Sequence, residues 1–496
     1  MSAYEELEAR FARLSAVGQA AMHLHWDQSV MMPPGGAEAR GEQLAALSAI
    51  RHEILAADVT AELIQDAEIE SGLDEWQQAN LGEMKRRWTG ATAVSGDLVA
   101  ALARAVTACE TKWRDARAAR DFASVRPLLQ TVLDLVIETA EARAGKLNLS
   151  PYDALMEKYS PGITSEKIDL VFGDLGAFLP DFLGQVMEKQ AAEPAPLIPE
   201  GPFPTARQRR LGEDMMRRLG FDFEAGRLDE SLHPFSSGTH GDLRITTKYS
   251  DDDFVFGLMG VLHETGHALY EKGLPADWRR QPVGESLGMD IHESQSLIIE
   301  MQACRSPEFL SFAAPLMQEA FGGGGTAWDP KNLVRLYTRV KPDFIRVDAD
   351  EVTYPAHVIL RYELERALIG GDLTLTDLPG AWNDGMKRLL GIVPPDDGLG
   401  VLQDIHWYDG AFGYFPSYTL GAIGAAQLFD AARQADADLL PAIGHGNFGQ
   451  HYAWLGRNVH GLGRRYSSEE LLTRATGRPL DVETFKSHLR ARYLDA

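Results

Sequence analysis

The pentapeptide His263-Glu264-Thr265-Gly266-His267 stands inside DDDFVFGLMGVLHETGHALYEK, residues 251 to 272, where aspartates lead into an apolar run of helical length. A turn of 3.6 residues stacks positions four apart, so both imidazoles face one point while Glu264 lies about 100° further round the helix. Flanked by Val261, Leu262, Ala268 and Leu269, this turn is expected to be buried, and buried imidazoles and a carboxylate need partners. The segment therefore has to be an interior helix that a second element approaches with polar groups. HExxH is the spacing of a metal-binding helix whose glutamate serves as general base. With 14 His and 72 acidic side chains in 496 residues, such a pattern arises by chance with a probability of roughly 0.06. A third ligand is required before a metal centre is credible.

The stretch GESLGMDIHESQSLIIEMQACR, residues 284 to 305, is helix-compatible and supplies Glu293, 26 positions after His267. That interval is enough to finish one helix, turn, and return on a neighbour. A catalytic zinc site uses three protein ligands and one open position, which His263, His267 and Glu293 provide. His292, Glu285 and Glu300 compete for the third place, and Glu285 or Glu300 could instead hold an imidazole N–H from behind.

The rest of the chain is predominantly helical in pattern. Leu7, Phe11, Leu14 and Val17 recur at helical steps, and residues 98–120 and 129–147 read the same way. EPAPLIPEGPFP, residues 193 to 204, has five prolines and marks an exposed connector, and GGGG at 322–325 is a surface turn. The β-branched cluster Ile245-Thr246-Thr247 makes residues 233–250 the best candidate for a small antiparallel sheet. One domain over 1–496 is expected, with a helical N-terminal portion of about 1–192 and a metal- and substrate-binding portion of about 205–496.

Charge narrows the partners. With 48 Lys and Arg against 72 Asp and Glu, the net charge of -24 repels nucleic acid and anionic membranes. Two cysteines cannot form a disulfide framework, and the N-terminus MSAYEELEARFARL is no secretory leader, so a soluble, cytoplasmic protein is expected.

Six elements in order carry a resemblance to the carboxypeptidase Taq family: HPF (His233 to Phe235), DLRIT (Asp242 to Thr246), HETGH (His263 to His267), HESQ (His292 to Gln295), IRVDAD (Ile345 to Asp350) and GVLQDIHW (Gly400 to Trp407). WDQSVMMPPGGAEARGEQL near the N-terminus and GYFPSYTLGA, from Gly413 to Ala422, are also similar. The resemblance implies a mainly α, two-lobed helical zincin-type metallopeptidase with a deep groove and a small sheet beside the metal. It further implies a homodimer that removes C-terminal residues from peptides with broad side-chain tolerance, using zinc or sometimes cobalt.

On that reading Glu264 is the base for a metal-bound water attacking the scissile carbonyl. By analogy with related peptidases, Tyr418, or else Tyr414, steadies the oxyanion, against the plainer reading of a packed tyrosine. Arg346 is assigned the terminal carboxylate, since a guanidinium offers two parallel charged hydrogen bonds. Its structural alternative is an ion pair with Asp348 or Asp350. His406 could bond substrate or simply pack beside Trp407, Asp242 and Arg244 could line the groove or lock the sheet, and His233 reads as structural. The competing functions are an endo-oligopeptidase with the same site and a non-catalytic peptide-binding homologue.

Overall fold

Helix periodicity in the first residues becomes a helix, Ala3–Val30, whose capping box pairs Ser2 with Glu5 and whose apolar stripe buries Tyr4, Leu7, Phe11 and Leu14. That stripe closes a small core with Leu63, Ile64, Leu81 and Met84 from the helices Asp58–Glu68 and Glu75–Thr92. The computed structural model describes residues 1–231 and 233–495.

Two larger cores follow. One joins the helices Phe122–Leu147 and Ser165–Ala192 to Tyr354–Gly370, Leu378–Leu390 and the C-terminal Val482–Tyr493. The other is built from Thr205–Leu219, the HExxH helix Val255–Gly273, Pro307–Phe321 and Gly449–Asn458. The proline-rich connector separates two helices, yet the first core draws on chain from both sides of it. Ser165–Ala192 has the length and apolar content of a membrane span by composition alone, but its Phe172, Leu179 and Val186 are buried in that core. A groove of about 990 Å³ is lined from both bodies, by Met259 and Leu297 on one side and Tyr354 and Tyr418 on the other.

The expected antiparallel pairing forms within residues 233–250, between β2 (Phe235–Thr239) and β3 (Asp242–Thr247). The sheet is nevertheless mixed rather than wholly antiparallel, because β1 (Gly226–Glu230) adds parallel to the free edge of β3 in the order β1-β3-β2. Leu228, Leu243 and Ile245 bury its inner face against Val261 of the HExxH helix.

Asp242 and Arg244 lock this sheet to the N-terminal helix. Arg244 forks onto Asp242 at 2.8 and 2.6 Å, and its guanidinium stacks 4.7 Å over Trp26, with Arg227 at 5.1 Å from the same ring. The tryptophan of the WDQ element thus has two cations against its ring. Neither Asp242 nor Arg244 lines the groove.

Candidate active site

Asp253 accepts from the Val255 N–H at 2.8 Å to start the HExxH helix, which ends at Gly273 just before Pro275. On its inner face His263 and His267 project toward the helix Met289–Leu297, which presents Glu293. Glu293 Oε2 lies 3.5 Å from His267 Nε2 and 4.0 Å from His263 Nε2. All three ligand atoms lie within 4.8 Å of one another, and two imidazoles with one carboxylate are the donor set of a catalytic zinc site.

The crossing of the two helices is set by Gly266. A Cβ there would fall on the Gln295 carbonyl oxygen and 2.7 Å from Ser296 Cα. Gly421 plays the same part for the helix Pro416–Ala435, where a Cβ would sit 2.7 Å from Glu293 Cβ. Gly266→Ala should therefore push Glu293 off the histidines, costing about 1–3 kcal/mol of stability by overpacking. Thermal unfolding together with bound-metal content after dialysis checks this; an unchanged Tm and full metal retention would refute the close approach.

Of the competitors for third ligand, Glu300 stands behind His263, its Oε2 3.0 Å from Nδ1, while Arg305 Nη2 donates to Oε1 at 2.6 Å. Glu300 lies in a π-helical stretch, Ile298–Ala303, that continues the Glu293 helix, with the Cys304 N–H reaching back to the Ile299 carbonyl. Glu285 is elsewhere, forked onto Arg87. His292 turns its Nδ1 to His267 Nδ1 at 2.6 Å and stands behind that ligand.

The electrostatics are those of a site that draws positive charge. Burial opposes it, but Glu293 and the hydrogen bond that His263 donates to Glu300 raise His263 to about 10. Burial lowers His267 to about 4. Although burial pushes the other way, the two histidines hold Glu293 below the usual carboxylate range. Burial lifts Glu264 to about 7, with His263 opposing this and Glu293 adding to it.

Across the groove stands Arg346, 4 % exposed. Its partner is neither Asp348 nor Asp350: Nε and Nη2 donate to Asp404 at 3.1 and 2.8 Å, and Nη1 donates to the Tyr354 hydroxyl at 2.7 Å. Asp404 also receives Arg361, at 2.7 Å from Nε, so two guanidinium groups share one carboxylate. Three of the five guanidinium N–H groups of Arg346 are taken and two remain.

Tyr418 lies under Arg346 at 4.9 Å, and its hydroxyl is 3.4 Å from His406 Nε2. Tyr414 and Tyr418 both line the groove, whereas His406 is a layer behind, lowered to about 4 by burial and the two arginines against the pull of Asp404. Pro234 and Phe235 of the HPF element line the groove, while the His233 carbonyl accepts from Ser231 Oγ. Tyr354, Arg361 and Asp404 complete this wall without any sequence spacing that marks them. Asp404 stands in GVLQDIHW, and only the fold shows which arginines it serves.

The carboxypeptidase Taq (M32) metallopeptidase family matches residues 6–493. The chain is 35% identical to thermostable carboxypeptidase 1 of Thermus thermophilus, over 98% of this chain and 97% of that one. Its structure resembles Trypanosoma cruzi metallocarboxypeptidase 1 with a TM-score of 0.97, 40% identity and 99% of each chain covered. It also resembles the M32 carboxypeptidase of Deinococcus radiodurans, with a TM-score of 0.94, 33% identity and 99% of each chain covered.

Proposed function

Because the chain belongs to the carboxypeptidase Taq (M32) family of metallopeptidases, we propose that it is a zinc carboxypeptidase of broad side-chain specificity, with His263, His267 and Glu293 as ligands and Glu264 as base. A zinc ion held there supplies a Lewis acid and an acidified water. Glu264 accepts the proton of the attacking water and returns it to the departing amine nitrogen. Tyr418, or Tyr414 beside it, donates to the developing oxyanion, and His406 holds the Tyr418 hydroxyl in place.

The observation that carries the exopeptidase reading is the pair of arginines on one aspartate. Arg346 and Arg361 against Asp404 leave an excess positive charge in a buried wall, with spare N–H groups on Arg346, in the groove that contains the metal ligands. A peptide's terminal carboxylate neutralises that charge and completes the hydrogen bonding. Both thiols, Cys109 and Cys304, are free and buried, which supports a reducing, cytoplasmic setting, and the family likeness supports a homodimer.

The test compares a peptide with a free C-terminus and its C-terminal amide, with and without a chelator. Stepwise, chelator-sensitive release of residues from the free acid and none from the amide is expected. Internal cleavage of the amide would replace this reading with an endo-oligopeptidase. A zinc-loaded protein that cuts neither would be a peptide-binding homologue. Metal content of the protein as isolated decides between zinc and cobalt.

A further inference from the structure

The two candidate histidine ligands are backed by different chemistry. Behind His263 stands a carboxylate, Glu300, itself fixed by Arg305. Behind His267 the neighbour is a third imidazole: His292 Nδ1 at 2.6 Å from His267 Nδ1, His292 Nε2 at 3.0 Å from Glu271 Oε1, and Ser286 Oγ donating to the same oxygen at 2.7 Å. Four side chains from two helices and the loop between them form one line.

Donor logic gives that line a direction. A carboxylate oxygen accepts, so a neutral His292 carries its proton on Nε2 and donates it to Glu271 Oε1. His292 Nδ1 is then a bare lone pair, and the short contact to His267 requires the proton on His267 Nδ1. That leaves the Nε2 lone pair of His267 pointing at Glu293 and the metal position. With a metal ion held between His267 Nε2 and Glu293, only the reversed polarity would leave an imidazole lone pair against a bare carboxylate, His292 Nε2 on Glu271 at 3.0 Å.

We infer that His292 and Glu271 are positioning residues, an imidazole–carboxylate relay that fixes the tautomer and orientation of His267 for metal binding. The inference rests on His267 being a ligand. It assigns His292, beside Glu293 in the sequence, to the second layer rather than the first. Groups that orient a metal-bound histidine typically account for about 10- to 100-fold in metal affinity.

Zinc transfer from the loaded protein to a competing chelator tests it in two variants. His292→Leu removes the acceptor and is expected to release zinc about 10-fold faster or more. His292→Asn places Oδ1 where Nδ1 stood and is expected to stay within about threefold of wild type, because the acceptor for His267 survives. Release from His292→Leu at the wild-type rate overturns the relay, and so does equal acceleration in both variants, which would indicate packing alone. If His292→Leu does not fold, nitrogen-15 spectra of the histidine-labelled wild type decide: a protonated His267 Nδ1 facing a bare His292 Nδ1 supports the relay, and the opposite assignment overturns it. A wild-type protein that binds no zinc would defeat the ligand reading instead, and the same spectra would still settle the tautomers.

Discussion

Glu264→Gln is expected to lower kcat for release of a C-terminal residue by about 10²- to 10⁴-fold, the range a positioned general base contributes. Metal content should not change, because Glu264 lies round the helix from the two histidines and is absent from the ligand cluster. The amide keeps the shape of the side chain and can accept a hydrogen bond, but it cannot take up a proton. The fold should tolerate the change well, since burial already works against the ionised form of Glu264. Single-turnover release of the C-terminal residue, with zinc measured on the same sample, reads both quantities. A zinc-loaded variant retaining most of the wild-type kcat would remove Glu264 from the mechanism. Loss of zinc in step with activity would make it a structural group of the site.

The clustering of His263, His267 and Glu293 was legible in the sequence because its logic is local: helical periodicity places the imidazoles on one face, and a third ligand has to come from a neighbouring helix. The second layer was not. Spacing alone could not choose between Glu285 and Glu300, since the choice depends on Arg87, distant in the chain, capturing one of them and a π-helical stretch carrying the other to His263. Gly266 occupies a variable place in the HExxH pattern, yet it is fixed by the backbone of a helix whose approach no periodicity reveals. Strand β1 was equally hidden: GRLDE has no β-branched residue, and its extended form is imposed by pairing with Leu243 to Thr247. The IRVDAD motif invited a local ion pair, but Asp350 instead accepts the backbone N–H groups of Lys341, Val352 and Thr353. Arg346 is left to Asp404, the aspartate of a different motif.

Arg346→Ala should lower kcat/KM on a free-acid peptide by about 10²- to 10³-fold, equivalent to losing two charged hydrogen bonds at about 1.5–2 kcal/mol each. Removing a buried arginine usually strands its partner at a cost of several kcal/mol. Here Asp404 keeps Arg361, at 2.7 Å from Nε, so the change converts two cations on one anion into a neutral pair. A modest fall in Tm and unchanged zinc content are therefore expected alongside the catalytic loss. The decisive quantity is the ratio of activity on the free acid to that on the amide. Wild type should show strong preference for the acid, and the variant should lose that preference because its rate on the acid falls toward the amide rate. Arg346→Lys should recover only part of the loss, since a single ammonium cannot hold Asp404, Tyr354 and a substrate carboxylate in the same planar arrangement. If the acid preference survives in Arg346→Ala, the carboxylate is read elsewhere in the groove, and the arginine pair on Asp404 is a structural feature of its wall.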